Sequence, residues 1–228
     1  MNKKQQTPLY IALTIAIVAL MIISFLKIEP ESQRLSPMEQ ALSFYQNGDY
    51  KQAEIYFAQA DNANIPEASF ALGALYFSGK GVPVNISKAL NYYEKAAENN
   101  YAPAQTTLAL LYMQGDVVPR DAEKAIGWAE KAAESNDMDA QIMLARWFEN
   151  GEYIERDMEK AVYFYKKAAL NGDINAKTAL SIIYKTGRDS VLPNIYTSKK
   201  WEDSIQKQKR FENIFQNRPA DYIEKALQ

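Results

Sequence analysis

The 228-residue chain contains neither cysteine nor histidine. Without cysteine there is no disulfide, no thiolate chemistry and no lipidated N-terminal Cys. Without histidine the commonest general base and the commonest zinc ligand are both missing, which argues against a metalloenzyme. Phosphate-cradling glycine loops and nucleophile elbows are absent as well. The formal net charge is −2, and because Lys3, Lys4 and Lys27 stand against Glu29 in the first thirty residues, the remainder sums to −4. That balance provides no basic face for nucleic-acid phosphates. No metal, cofactor or nucleic acid is expected. With 47% hydrophobic and 24% charged residues, the chain is otherwise that of an ordinary folded protein.

What is present is a repeat. The thirty-six residues from Ala68 to Pro103 return as Ala104 to Asp139 and again as Ala140 to Asn175. The period reads column by column: Ala68, Ala104, Ala140 and Ala176; Leu72, Leu108, Leu144 and Leu180; Tyr76, Tyr112, Phe148 and Tyr184; Gly79, Gly115, Gly151 and Gly187. In the second half of the unit Lys88, Lys124 and Lys160 precede Ala89, Ala125 and Ala161, followed by Tyr92, Trp128 and Phe164. A fixed period of this length with apolar residues at helical spacing marks a solenoid of stacked units.

Each unit reads as two antiparallel helices. In the first, Ala68, Ala71, Leu72, Leu75 and Tyr76 share one face of a helix near Glu67 to Phe77, and Gly79 suits the left-handed residue that ends it. Asn85, Asp121 and Asp157 suit the N-cap of the second helix, about Ile86 to Asn99 in the first unit. Asn100, Asn136 and Gly172 tolerate the left-handed conformation at its end. Pro37 to Gln46 and Tyr50 to Ala60 form a shortened first repeat. After Gly187 the pattern decays; one inserted residue restores the Asn194, Ser198 and Trp201 columns. Trp201 to Phe215 reads as a capping helix, and Asp221 to Leu227 as a short last one.

The series Ala68, Leu72, Gly73, Tyr76, Gly79, Gly81 and Val82, followed by Lys88-Ala89, Tyr92 and Ala96-Ala97, resembles the Sel-one-like repeat, a relative of the tetratricopeptide repeat. The resemblance covers roughly Ala41 to Trp201. It implies a right-handed superhelix of helix pairs that binds other proteins and has no shared catalytic residues. Val117, Tyr153 and Asp189 stand where the second glycine is expected, so those loops are expected to differ.

The N-terminal stretch is of another kind. Gln5 to Leu26 carries no charge, and the eighteen nearly all apolar residues from Leu9 to Leu26, at about 1.5 Å each, nearly cross a hydrocarbon core of roughly 30 Å. Ser24-Phe25-Leu26-Lys27 offers no small-x-small cleavage site, so the run reads as a retained anchor rather than a cleaved leader. Lys3 and Lys4 before it place the N-terminus in the cytoplasm and the repeats in the periplasm of a bacterium. The expected organisation is a cytoplasmic tail (1–8), a transmembrane signal anchor (9–28), a linker (29–37), the shortened repeat (38–66), three full repeats with the first helix of a fourth (67–186), and a degenerate fourth repeat with capping helices (187–228). The fold class is thus all-α: a right-handed α-solenoid of antiparallel helix pairs behind an N-terminal transmembrane helix.

Candidate chemistry dissolves on inspection. Ser204 to Lys207 and Lys185-Thr186-Gly187 echo fragments of penicillin-recognising enzymes, but in reversed order and with no Ser-Asp-Asn between them. Glu94, Glu98, Glu130 and Glu134 read as a solvated helix face, and Lys199, Lys200, Lys207, Lys209 and Arg210 as the wet side of the capping helix. More informative is the face of each first helix opposite its leucine column. It carries Phe70 and Phe77, then Thr106, Leu110 and Met113, then Ile142, Arg146 and Glu149, then Lys185. These residues either pack against neighbouring helices or line a concave groove for an amphipathic or extended partner segment. The expected function is a membrane-anchored periplasmic protein-protein interaction module of the bacterial inner membrane, and not an enzyme. Immunity against a periplasm-acting toxin, regulation of an envelope complex, and peptidoglycan hydrolysis are the alternatives.

Overall fold

A computed structural model describes residues 35–216. Ten helices follow one another there: α1 (Pro37–Gln46), α2 (Tyr50–Asn62), α3 (Pro66–Ser78), α4 (Ile86–Glu98), α5 (Ala102–Gln114), α6 (Ala122–Glu134), α7 (Met138–Asn150), α8 (Met158–Leu170), α9 (Ile174–Thr186) and α10 (Ile195–Gln216). Every extensive helix contact joins consecutive helices. The architecture is an all-α solenoid of five helix pairs, in which odd-numbered helices open a repeat and even-numbered helices close it.

The repeat columns explain the stacking. Ala68, Ala104, Ala140, Ala176 and the four leucines of the Leu72 column are buried in α3, α5, α7 and α9. Small residues let adjoining helix backbones approach closely, and the leucines fill the space beside them. Gly79, Gly115 and Gly151 close α3, α5 and α7 at φ 72°, 76° and 66°, conformations that a Cβ disfavours. Asn85, Asp121 and Asp157 then cap α4, α6 and α8 by accepting from the amides of Lys88, Lys124 and Lys160 at 2.9, 3.0 and 2.9 Å. The same three residues donate their own amides to the Tyr76, Tyr112 and Phe148 carbonyls, each at 2.9 Å, so these three loops end on the same pin. Asn100 and Asn136 are left-handed at the repeat junctions. Asn64, one period earlier, adopts the same conformation and joins the shortened repeat to the array.

The column that departs from the family pattern does shape its loops differently. Gly81, at φ 73°, lies so close to the start of α2 that a Cβ would sit 2.6 Å from the Cβ of Tyr50. Two repeats on, the ring centre of Tyr153 instead lies 4.2 Å from the guanidinium carbon of Arg120. The next residue of the column, Asp189, pairs with Arg156 at 3.0 Å. Two of the three side chains that replace glycine, Tyr153 and Asp189, therefore reach back to an arginine of the preceding loop.

The C-terminal reading needs correction. Instead of a capping helix from Trp201, α10 runs unbroken from Ile195 to Gln216. With the inserted residue counted, Gln208-Lys209-Arg210 occupies the place of Asn171-Gly172-Asp173 at the α8–α9 turn, and these good helix formers offer nothing to stop the helix. The short helix expected at Asp221 to Leu227 lies outside the described residues.

The membrane expectations are also corrected. The repeat helices α3 to α9 have 13 residues each. At about 1.5 Å per residue such a helix spans roughly 20 Å, short of a hydrocarbon core of about 30 Å. No helix among the described residues is long and apolar enough to cross a membrane. The anchor expected at residues 9–28 lies outside the described residues. The fold class is accordingly the all-α solenoid, with no membrane-spanning helix among the described residues, and the single-pass inner-membrane topology, the membrane partner and the periplasmic placement are withdrawn.

Candidate functional site

The leucine columns turn one face of α5 and α7 inward, and two cavities lie side by side between the remaining edges of these helices. One, of about 390 Å³, is lined by Thr106 and Leu110 of α5 and by Asp139, Ile142, Met143, Arg146 and Trp147 of α7. The other, of about 230 Å³, is lined by Met113 of α5, by Arg146, Trp147 and Asn150 of α7, and by Glu152, Tyr153 and Ile154 of the following loop. Arg146 and Trp147 border both, so the cavities form one groove running along the two helices.

The groove is held from behind by its own repeats. Arg120 donates from Nε to the Met113 carbonyl and from Nη2 to the Gln114 carbonyl, both at 3.0 Å, satisfying the last turn of α5. Its guanidinium carbon lies 4.2 Å from the centre of the Tyr153 ring, a cation–π contact that fixes the wall of the second cavity. Thr106 donates to Asp137, the N-cap of α7, at 3.2 Å. The floor is apolar, since Met113 is buried, while Leu110 and Arg146 are exposed at the rim.

Five of the nine residues singled out in the sequence meet here: Thr106, Leu110, Met113, Ile142 and Arg146. The other four do not. Phe70 packs against Tyr93 and Tyr101, with ring centroids 5.4 Å away in each case, and Phe77 against Tyr93 at 6.3 Å. Glu149 accepts the Tyr165 hydroxyl at 2.6 Å and pairs with Arg188. Burial and then this carboxylate push the Tyr165 phenol well above its ordinary range. Lys185 is exposed and pairs with Glu202 at 4.0 Å. Met143, Trp147, Asn150 and Tyr153 are not among the groove residues singled out in the sequence, because the groove lies between two helices. It therefore uses the adjoining edge of α7 and the loop beyond it, as well as the face opposite the leucines. A third cavity, of about 350 Å³, opens on the loop side of α7 and α8 and is lined mainly by charged groups, among them Glu155, Arg156 and Lys160.

The fragments with an enzymatic echo are scattered. Lys185 closes α9 and is taken up by Glu202, while Ser204 and Lys207 lie on α10. Among the described residues no group of three or more carboxylates is placed to hold a metal ion.

Three consecutive segments, residues 66–101, 102–137 and 139–173, match the Sel1 repeat family. No curated protein matches the chain. Among solved structures, a protective antigen of uropathogenic Escherichia coli strains displaying an SLR fold is similar at 27% identity and a TM-score of 0.66, over 75% of this chain and 38% of its own length. The chain thus spans well under half of that relative. A Sel1 repeat protein from Oxalobacter formigenes is similar at 27% identity and a TM-score of 0.65, over 74% of this chain and 69% of its own. An immunity protein from Pseudomonas aeruginosa stands further off, at 18% identity and a TM-score of 0.40. The Sel1-repeat matches between residues 66 and 173 and the solenoid fold shared with structures at 27% identity support a repeat scaffold, and neither lends support to the peptidoglycan hydrolase expected as an alternative.

Proposed function

We propose that the protein works by holding another protein, and that the groove between α5 and α7 is where it does so. The observation that carries this reading is the run of two adjoining cavities with apolar walls and one shared cation, built on helices that are braced from behind. A stiff stack presents Leu110, Ile142, Arg146 and Trp147 at fixed spacing, so little ordering entropy is lost on association. Apolar side chains supply the contact area, and Arg146 supplies orientation.

The test compares two faces of the same rod. Leu110→Asp combined with Arg146→Glu changes the groove, whereas Tyr163→Asp combined with Leu170→Asp changes exposed positions on α8. Capture of the partner is expected to fall at least tenfold in the first variant and to persist in the second, with the helical circular-dichroism signal intact in both. Equal capture by the groove variant and the unaltered chain would remove the groove from consideration.

A further inference from the structure

Arg146 is the one cation bordering either of the two groove cavities, and it stands where they meet. Its side chain reaches the Tyr165 hydroxyl. No ion pair among the described residues involves it; the nearby carboxylate of Glu149 is taken by Arg188 and Tyr165. An exposed guanidinium between two apolar hollows, with its neighbouring acid already engaged and no carboxylate of its own, keeps donors for a carboxylate beside its contact with Tyr165. The outer ends of the groove have the opposite character, because Asp139 lines one cavity and Glu152 the other.

Resting on the reading of this groove as the partner site, we propose that it accepts an extended segment of a partner protein carrying one acidic side chain between two apolar ones, with cationic rather than acidic residues beyond them. The spacing supports that pattern. Ile142, Arg146 and Asn150 follow one another at four-residue steps of α7, about 6 Å apart along the axis, while alternate residues of an extended chain lie roughly 6.6 Å apart on one side. An apolar-x-acid-x-apolar segment therefore places its first apolar side chain against Leu110 and Ile142, its carboxylate on Arg146, and its second apolar side chain between Met113 and Tyr153. Cavities on both sides of the arginine require the chain to continue past it in both directions. That selects an internal Asp or Glu over a chain-terminal carboxylate.

The full-length chain, its Arg146→Gln and Arg146→Glu variants, and a Leu110→Asp/Met143→Asp variant are each used to select from a random heptapeptide library displayed on phage. Thermal melts show that each variant is folded. The binding of a synthetic Lys-Leu-Ser-Glu-Ser-Leu-Lys amide is then compared with that of its Glu-to-Gln counterpart by fluorescence polarisation. The expected consensus has an acid between two apolar residues at i−2 and i+2. The Glu peptide should bind at least tenfold more tightly than the Gln peptide, that preference should vanish in Arg146→Gln, and Arg146→Glu should select Lys or Arg at the central position. An apolar consensus without the acid, lost in the Leu110→Asp/Met143→Asp variant, would overturn the acidic segment and leave the groove standing. Selection of a terminal carboxylate would overturn the internal placement. Absence of enrichment, or enrichment indifferent to all the variants, would overturn both the segment and the groove.

Discussion

Tyr93 and Tyr165 carry phenols that the fold keeps protonated. Burial pushes Tyr93 up to about 12, and burial with the Glu149 carboxylate raises Tyr165 further. An unfolded tyrosine ionises near 10, so below that pH neither group makes stability depend on pH. Above it the unfolded chain loses protons first, and the stability that these phenols contribute drains away as the pH climbs through their folded values. Stability measured by urea unfolding should therefore be level from pH 8 to 9.5 and fall from 10 to 12, and Tyr93→Phe should make that fall shallower. At Gly115 the constraint is steric. With φ at 76° and the Arg120 Cβ only 2.8 Å from where a new Cβ would lie, Gly115→Ala should cost about 1–3 kcal/mol in the same assay. Gly115 was legible in the sequence because its role is local. Glu149 was not: it lies on the face that helical geometry assigns to the groove, yet it is claimed by Tyr165, 16 positions on, and by Arg188, 39 positions on. Helical periodicity carries no record of such partners.

Within the elements, the buried amides at the repeat junctions show how far one repeat predicts the next. Gln105 and Gln141 occupy the same column, and each donates from Nε2 across the junction, to the Ala97 carbonyl at 3.0 Å and the Ala133 carbonyl at 3.2 Å. The Gln141 Oε1 also accepts from Asn171 at 3.0 Å. One period before Asn171 stands Ser135, and the Gln105 Oε1 is buried without a hydrogen-bond partner. Ser135→Asn should supply that missing donor and stabilise the protein by roughly 1 kcal/mol, read as an upward shift in Tm. A downward shift would show that this junction does not repeat the geometry of the next. Helix starts and stops could be read from Asn85, Asp121, Asp157 and their partner glycines because caps are chemically specific. The length of α10 could not, because a helix that continues through Gln208-Lys209-Arg210 is distinguished from one that turns only by the absence of a stop signal. The two cavities were half legible: the α5 residues follow from periodicity, whereas Trp147 and Tyr153 enter only once two repeats are set side by side.

Across the whole molecule, a rod whose extensive contacts join consecutive helices behaves as a chain of neighbours rather than as a single core. Leu72 and Leu180 are both fully buried, three repeats apart. Each Leu→Ala change should cost about 2–5 kcal/mol. With no shared partners, the double variant should equal the sum of the two within about 0.5 kcal/mol. Leu108→Ala with Leu144→Ala, in adjoining repeats, should deviate from additivity. The solenoid was legible at this scale because each thirty-six-residue copy repeats the same packing columns. The anchored topology was argued from hydropathy at the N-terminus and stands corrected, since no described helix spans a membrane.

Which side of the rod meets its partner is read out directly by photocrosslinking. A benzophenone side chain placed in turn at Leu110, Tyr153, Tyr163 and Leu170, all exposed, samples the groove twice and α8 twice. The account predicts one discrete partner adduct from Leu110 and Tyr153 and none from the two α8 positions. Adducts from Tyr163 and Leu170 with none from the groove would contradict it.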